Sequence, residues 1–228
     1  MFYFDPTYLF YMIPGLILAG LTSWYVRHSY EKWSRVPAQS RLTGAQAAQR
    51  LISSGGLYNV QIQTIAGDMT DNYDPSTKTL NLSQGVSNVP SVAALAIAAH
   101  ELGHAMQDAE GYMPLRLRSA IVPAVNIGSQ LGWIMIIIGL LINFYELAWL
   151  GIIVFSLGAL FALITLPVEF DASARAKRLL TDSGLIIGEE ERGGVNAVLN
   201  AAALTYVAAL VTAILQVLYY VNLVRRRD

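Results

Sequence analysis

Two histidines four residues apart with a glutamate beside the first, His100-Glu101-Leu102-Gly103-His104, carry the clearest chemical signal in this 228-residue chain. Residues four apart lie on one face of a helix, so both imidazoles can reach a single ion while Glu101 stands beside its open coordination position. A zinc ion held by three protein ligands keeps a place for water, acidifies that water to a pKa of about 7 and polarises a carbonyl. Glu101 would then be the catalytic base, taking the water's proton and passing it to a leaving amine. Gly103, inside the motif, lets another segment approach this helix closely.

A third ligand is needed. The chain has no cysteine and only three histidines, and His28 lies at the edge of an apolar stretch, so the remaining ligand must be a carboxylate. Glu169 and Asp171, in Pro167-Val168-Glu169-Phe170-Asp171-Ala172-Ser173, are the candidates. Glu169 is favoured and Asp171 can substitute. The competing reading of Glu169 is an acid stabilising a helix N-terminus behind Pro167. Metal-bound histidines generally give their second nitrogen to a carboxylate or carbonyl, and Asp108, four residues after His104, is a candidate for that role.

The elements that position these residues divide between membrane and water. The chain is 54% hydrophobic and 14% charged, outside the usual range for a soluble domain. Its charges leave four long uncharged stretches, and a bilayer core needs about 20 apolar residues per helical crossing. The expected organisation is a transmembrane helix at 6–26, an extramembrane region with the motif helix at 27–118, transmembrane helices at 119–145 and 147–168, an extramembrane segment with the third ligand at 169–192, and a transmembrane helix at 193–224. The first stretch lacks a basic leader and is followed by Arg27 and His28, so it reads as a retained anchor. A net charge of −1 offers no concentrated basic face, which excludes nucleic acid as a partner.

Four crossings put both polar regions on one side. In the first, Thr43 caps a short helix that Gly55-Gly56 terminates. Alternation over Asn59 to Ile65 and again over Lys78 to Leu82 predicts two strands, with Asp74-Pro75 in the loop of a hairpin between them. Ser91 caps the next helix, which runs through the small apolar residues 92–99 into the His-Glu pair. A substrate backbone can add itself as an extra strand along Lys78 to Leu82. Twelve lysines and arginines lie in the two polar regions against three at the C-terminus, which places the active site on the cytoplasmic side. Arg225, Arg226 and Arg227 run against that assignment.

Several of these segments together resemble the YugP-like neutral zinc metallopeptidases, small membrane zinc peptidases of bacteria. The resemblance rests on Thr43-Gly44, on Asp71-Asn72-Tyr73-Asp74-Pro75 with Lys78-Thr79-Leu80 and Leu82-Ser83, on Ala98 to Gln107 around the motif, on Pro167 to Ser173, and on Asn200-Ala201-Ala202-Ala203-Leu204-Thr205-Tyr206. It implies a mainly α membrane protein: four transmembrane helices plus a small α+β zincin-like catalytic unit with a short β-hairpin and an HExxH helix. It also implies Zn2+ bound by His100 and His104, Glu101 as base, and supports Glu169 as third ligand. The family's loop usually carries His where this chain has Asn72. Position 173 is Ser, where other membrane zincins place an Asp that orients the first histidine, so the support for that histidine is expected elsewhere. Asn200 and Tyr206, in the last matched segment, are candidate donors to an oxyanion.

The function expected is hydrolysis of peptide bonds in polypeptides that are unfolded or associated with the lipid bilayer. The alternative is a zinc-binding membrane scaffold without turnover.

Overall fold

Local signals start and stop the helices of the polar region as expected. Thr43 Oγ1 accepts the Gln46 N–H and the Gln46 side chain accepts the Thr43 N–H at 3.0 Å, a reciprocal cap that opens α2 (Gly44–Gly55). Gly56, at φ 70°, closes it in the left-handed conformation. Ser91 Oγ accepts the Ala94 N–H at 3.2 Å and opens the motif helix, α4 (Val92–Ala109). This computed structural model describes residues 6–227.

Between α2 and α4 lie β1 (Gln61–Ile65), β2 (Asn72–Asp74), β3 (Thr79–Ser83) and the single turn α3 (Gln84–Ser87). The strand order is β1-β3-β2. The expected hairpin between the two longer strands is not formed: β1 runs parallel to β3, and β3 pairs antiparallel with β2. Asp74 and Pro75 do make a tight turn, but it joins β2 to β3. The Asp74 carboxylate accepts the Ser76 N–H at 2.9 Å together with the Ser76 and Thr77 hydroxyls. Those donors, Ser76 first, hold its pKa down at about 2. A parallel pair needs a connection that crosses back, which the segment 66–78 supplies with β2 inside it. Because β3 is paired on both sides, its backbone has no free edge for a substrate; the free edges belong to β1 and β2.

Four helical rods among the described residues are long and apolar enough to cross a membrane. They are α1 (Pro6–Ser34), α5 (Met113–Leu141), the nearly continuous pair α6 (Tyr145–Phe155) and α7 (Leu157–Asp182), and α8 (Glu189–Arg225). The helices run on past the uncharged stretches that nucleate them, since a helix can leave the bilayer without unwinding. The turn between α5 and α6 centres on Asn143, at φ 56°, and Glu146, the residue between the two expected spans, lies in the first turn of α6.

The chain forms two compact units. One takes the described residues up to Thr22, Arg116–Leu166 and those from Thr205 on. Its core gathers Met12, Ile136, Leu140, Ala148, Ile152 and Tyr220, while Leu16, Ile17, Ile127, Ile138, Ile153 and Leu163 point outward. Apolar surface on the outside suits lipid as solvent. Here α5 and α6 pack backbone to backbone: a Cβ on Gly132 would lie 2.6 Å from Phe155 N, and one on Gly151 would lie 2.7 Å from Ile136 N.

The other unit is Ser23–Leu115 with Pro167–Leu204. Its core joins Leu51 and Ile52 of α2, Leu80 and Leu82 of β3, Leu95 and Leu102 of α4, Leu180 of α7 and Leu199 of α8. Glu191, buried at the start of α8, accepts the Gln39 N–H at 2.8 Å and the Ile187 N–H at 3.1 Å, tying the loops on either side of this core together.

Candidate metal centre

All the chemistry-bearing residues of the motif lie in the second unit. α4 presents His100 and His104 one turn apart, with ring centroids 4.9 Å apart and planes nearly perpendicular. α7 crosses α4 at Gly103, where a Cβ would lie 2.5 Å from the Ala172 carbonyl oxygen. This contact brings Glu169 Oε2 to 3.2 Å from His100 Nε2 and 3.5 Å from His104 Nε2. The Glu169 side chain is 3% exposed and the two imidazoles 13% and 12%.

The donor set fits a zinc ion. Two imidazole nitrogens and one carboxylate oxygen, all within 4.8 Å of one another, form the cluster. Tetrahedral zinc with ligand bonds of about 2.0–2.1 Å spaces its ligands about 3.4 Å apart, close to both carboxylate-to-imidazole separations. Each ring also turns its other nitrogen to a protein partner, which directs Nε2 toward the common point. His100 Nδ1 pairs with Ser173 Oγ at 3.2 Å, and His104 Nδ1 pairs with Gln107 Oε1 at 3.0 Å.

Electrostatics follow from burial. Glu169 loses solvation, but its hydrogen bonds to His100 and His104 outweigh that loss and hold its carboxyl well below the usual range. Burial lowers the pKa of His104, yet the Glu169 hydrogen bond and the charges of Glu101 and Glu169 reverse the sign and leave it raised. Glu101 is pushed up by desolvation, only partly offset by the two histidines. Its Oε2 accepts the Tyr73 N–H of β2 at 3.0 Å, and Oε1 has no hydrogen bond among the described residues.

The structure thus brings His100, Glu101, His104 and Glu169 together. It places the other candidates elsewhere. Asp108 does not reach His104: it accepts the Tyr73 hydroxyl at 2.8 Å and the Lys78 ammonium, because its side of α4 faces the sheet. Asp171 lies one step behind the histidine, accepting from Gln107 Nε2 at 2.9 Å and from Arg175 Nε at 2.6 Å. Asn200 is exposed and accepts from Lys177 Nζ at 3.1 Å. Tyr206 belongs to the other unit. Asn72 is held by Asn81 Nδ2 at 3.0 Å and donates to the Thr70 carbonyl.

Sequence reasoning passed over three residues that complete the surroundings. Ser173 takes the place on His100 that an Asp fills in other membrane zincins, so the expectation that this support lies elsewhere is corrected. Gln107, three residues after His104 on the same helix and fully buried, supports its imidazole. Tyr73 supplies its backbone N–H to Glu101 from a strand only three residues long.

No solved structure matches the chain significantly. The protein described as "Putative membrane protease YugP" of Bacillus subtilis (strain 168) is 42% identical over 214 residues, which cover 94% of this chain and 95% of that relative. A family model described as "Putative neutral zinc metallopeptidase" matches residues 8–225, and the chain, a multi-pass membrane protein by its four apolar helices, belongs to that family of zinc metallopeptidases.

Proposed function

We propose that this chain is a membrane endopeptidase that hydrolyses peptide bonds with zinc held by His100 Nε2, His104 Nε2 and Glu169 Oε2. The observation that carries the reading is the convergence of these three atoms beside Glu101, on a donor set suited to zinc. The metal, when bound, supplies Lewis acidity and a water acidified to a pKa of about 7.

The chain's own groups do the rest. Glu101 takes the proton of the attacking water. The Tyr73 N–H holds Oε2, so Oε1 is the oxygen left to receive it. Burial raises the affinity of this carboxylate for a proton, which suits a base that must then deliver it to the departing amine. β2 ends the sheet next to Glu101, and an extended polypeptide can meet that edge at the backbone groups other than the Tyr73 N–H, which Glu101 holds. A groove of about 240 Å3 that touches β2 at Tyr73 and is lined also by Tyr58, Val60, Lys78, Ala105 and Asp108 offers room for a substrate side chain. Backbone pairing favours substrates with unfolded or membrane-associated segments. In this reading the spans are 6–26, 119–145, 147–168 and 193–224, and the excess of Lys and Arg supports a cytoplasmic side for the catalytic segments.

The test is zinc content and turnover of the detergent-purified protein. One zinc per chain, lost or weakened in Glu169→Ala, with cleavage of an unfolded polypeptide abolished in Glu101→Gln, is the expected result. Undiminished cleavage by Glu101→Gln would overturn the mechanism. Zinc bound with no cleavage by the wild type would favour a scaffold.

A further inference from the structure

Gln107 is fully buried, and its amide is surrounded on three sides. Nε2 donates to the Val168 carbonyl at 2.8 Å and to Asp171 Oδ2 at 2.9 Å, which uses both of its protons. Neither partner can donate in return: one is a carbonyl, and the other is a carboxylate in an ion pair with Arg175 Nε at 2.6 Å. Turning the amide over would press its oxygen against two acceptors. The orientation is therefore forced, and the group facing His104 Nδ1 at 3.0 Å is Oε1, which can only accept. The charged ring donates from both nitrogens, from Nδ1 to Gln107 and from Nε2 toward Glu169; on losing one proton it keeps Nδ1–H on the 3.0 Å contact and leaves the lone pair on Nε2, 3.5 Å from Glu169. Arg175 is anchored in turn by Glu110 at 2.8 Å, which links the end of α4 to α7.

His100 has no equivalent. Its Nδ1 meets the Ser173 hydroxyl at 3.2 Å, and a hydroxyl can donate or accept, so this contact does not choose a tautomer.

We propose that Gln107 is a positioning residue that locks His104 as its Nδ1–H tautomer, with Asp171 and Arg175 fixing the direction of the Gln107 amide. The inference rests on the reading of His104 as a zinc ligand, because the lock matters by keeping the Nε2 lone pair ready for the metal. Without it the neutral ring divides between two tautomers, one of which cannot ligate through Nε2.

The chain has three histidines, so selective 15N labelling of the imidazoles in detergent-purified full-length protein gives spectra simple enough to assign. In zinc-free protein, at a pH above the titration of His104, the wild type should show the Nδ1–H form and Gln107→Met a mixture. Zinc affinity, measured by chelator competition, should fall about 10- to 100-fold in Gln107→Met. Asp171→Ala should shift both readings the same way, whereas Asp171→Asn, whose carbonyl can accept from Gln107 and Arg175 alike, should restore them. An Nε2–H or mixed His104 in the wild type overturns the lock, as does Gln107→Met with unchanged tautomer and affinity. If Gln107→Met fails to fold, the wild-type spectrum and the Asp171 pair still decide. Wild-type protein that takes up no zinc would instead overturn the metal reading, and the tautomer measurement would stand by itself.

Discussion

Gly103 and Ala172 are in contact so close that no side chain fits between them: a Cβ on Gly103 would lie 2.5 Å from the Ala172 carbonyl oxygen and 3.0 Å from its Cα. The contact sets how near α7 comes to α4, and so whether Glu169 reaches both histidines. Gly103→Ala must push backbone, not a flexible side chain. It should destabilise the protein by about 1–3 kcal/mol and weaken zinc binding. Gly193, in α8 with nothing within 4 Å of its added Cβ, is the control. There alanine should be neutral or stabilising by up to about 1 kcal/mol, through helix propensity alone. Thermal unfolding and zinc titration of both variants check the pair; equal behaviour would show that the crossing is not set at Gly103.

Glu101 carries a second expectation, about stability instead of rate. A desolvated carboxylate costs folding free energy when charged, and the raised pKa records that cost. Glu101→Gln keeps an oxygen for the Tyr73 N–H and removes the charge. The zinc-free variant should therefore be more stable than wild type at neutral pH, by on the order of 1 kcal/mol, while cleavage is lost. The sign with pH follows. For a carboxyl whose folded pKa lies above the unfolded value of 4.5, the cost is full above the folded pKa and vanishes below the unfolded one. The advantage of the variant should shrink as pH falls toward 4.5, and an advantage that grows with acidity would contradict the assignment.

Much of this site can be read from sequence because it depends on local rules. The spacing of His100 and His104, the Ser91 and Thr43 caps and the uncharged stretches are each properties of one element. What escaped depends on how elements meet. β2 is three residues long and has no alternation to detect, so the two longer strands look like a hairpin when they are a parallel pair. Gln107 and Asp108 are three and four residues from His104 and equally placed to support it on an isolated helix. Only the position of α7 decides between them: Gln107 points into the α4–α7 contact and Asp108 toward Tyr73 and Lys78.

Zinc uptake should release protons. In the metal-free protein the pKa of His104 is raised, burial being outweighed by Glu169 and Glu101, so its imidazolium persists to higher pH than that of an ordinary histidine. A ligand must be deprotonated to bind. Apparent affinity should fall as pH drops below this pKa, with protons released on zinc uptake, as calorimetry in buffers of different ionisation enthalpy can measure. Glu169→Gln removes the main group that raises the pKa, so the imidazole titration of His104 should move down in that variant. A titration that stays in place would mean that Glu169 does not face His104 in solution.

The α5–α6 contact makes a separate prediction, independent of the metal. In lipid, helices gain little from apolar burial and associate through close packing of small residues. A Cβ on Gly151 would lie 2.7 Å from Ile136 N and 2.8 Å from the Gly132 carbonyl oxygen, leaving no room for a larger residue. Gly151→Leu should force the helices apart and destabilise the detergent-solubilised protein by about 2 kcal/mol or more. Ile153, two residues on, is 65% exposed, and Ile153→Leu should change stability by no more than about 0.5 kcal/mol. Thermal aggregation curves of the two variants separate the cases. A tolerated Gly151→Leu would mean that this pair of helices does not pack through its glycines.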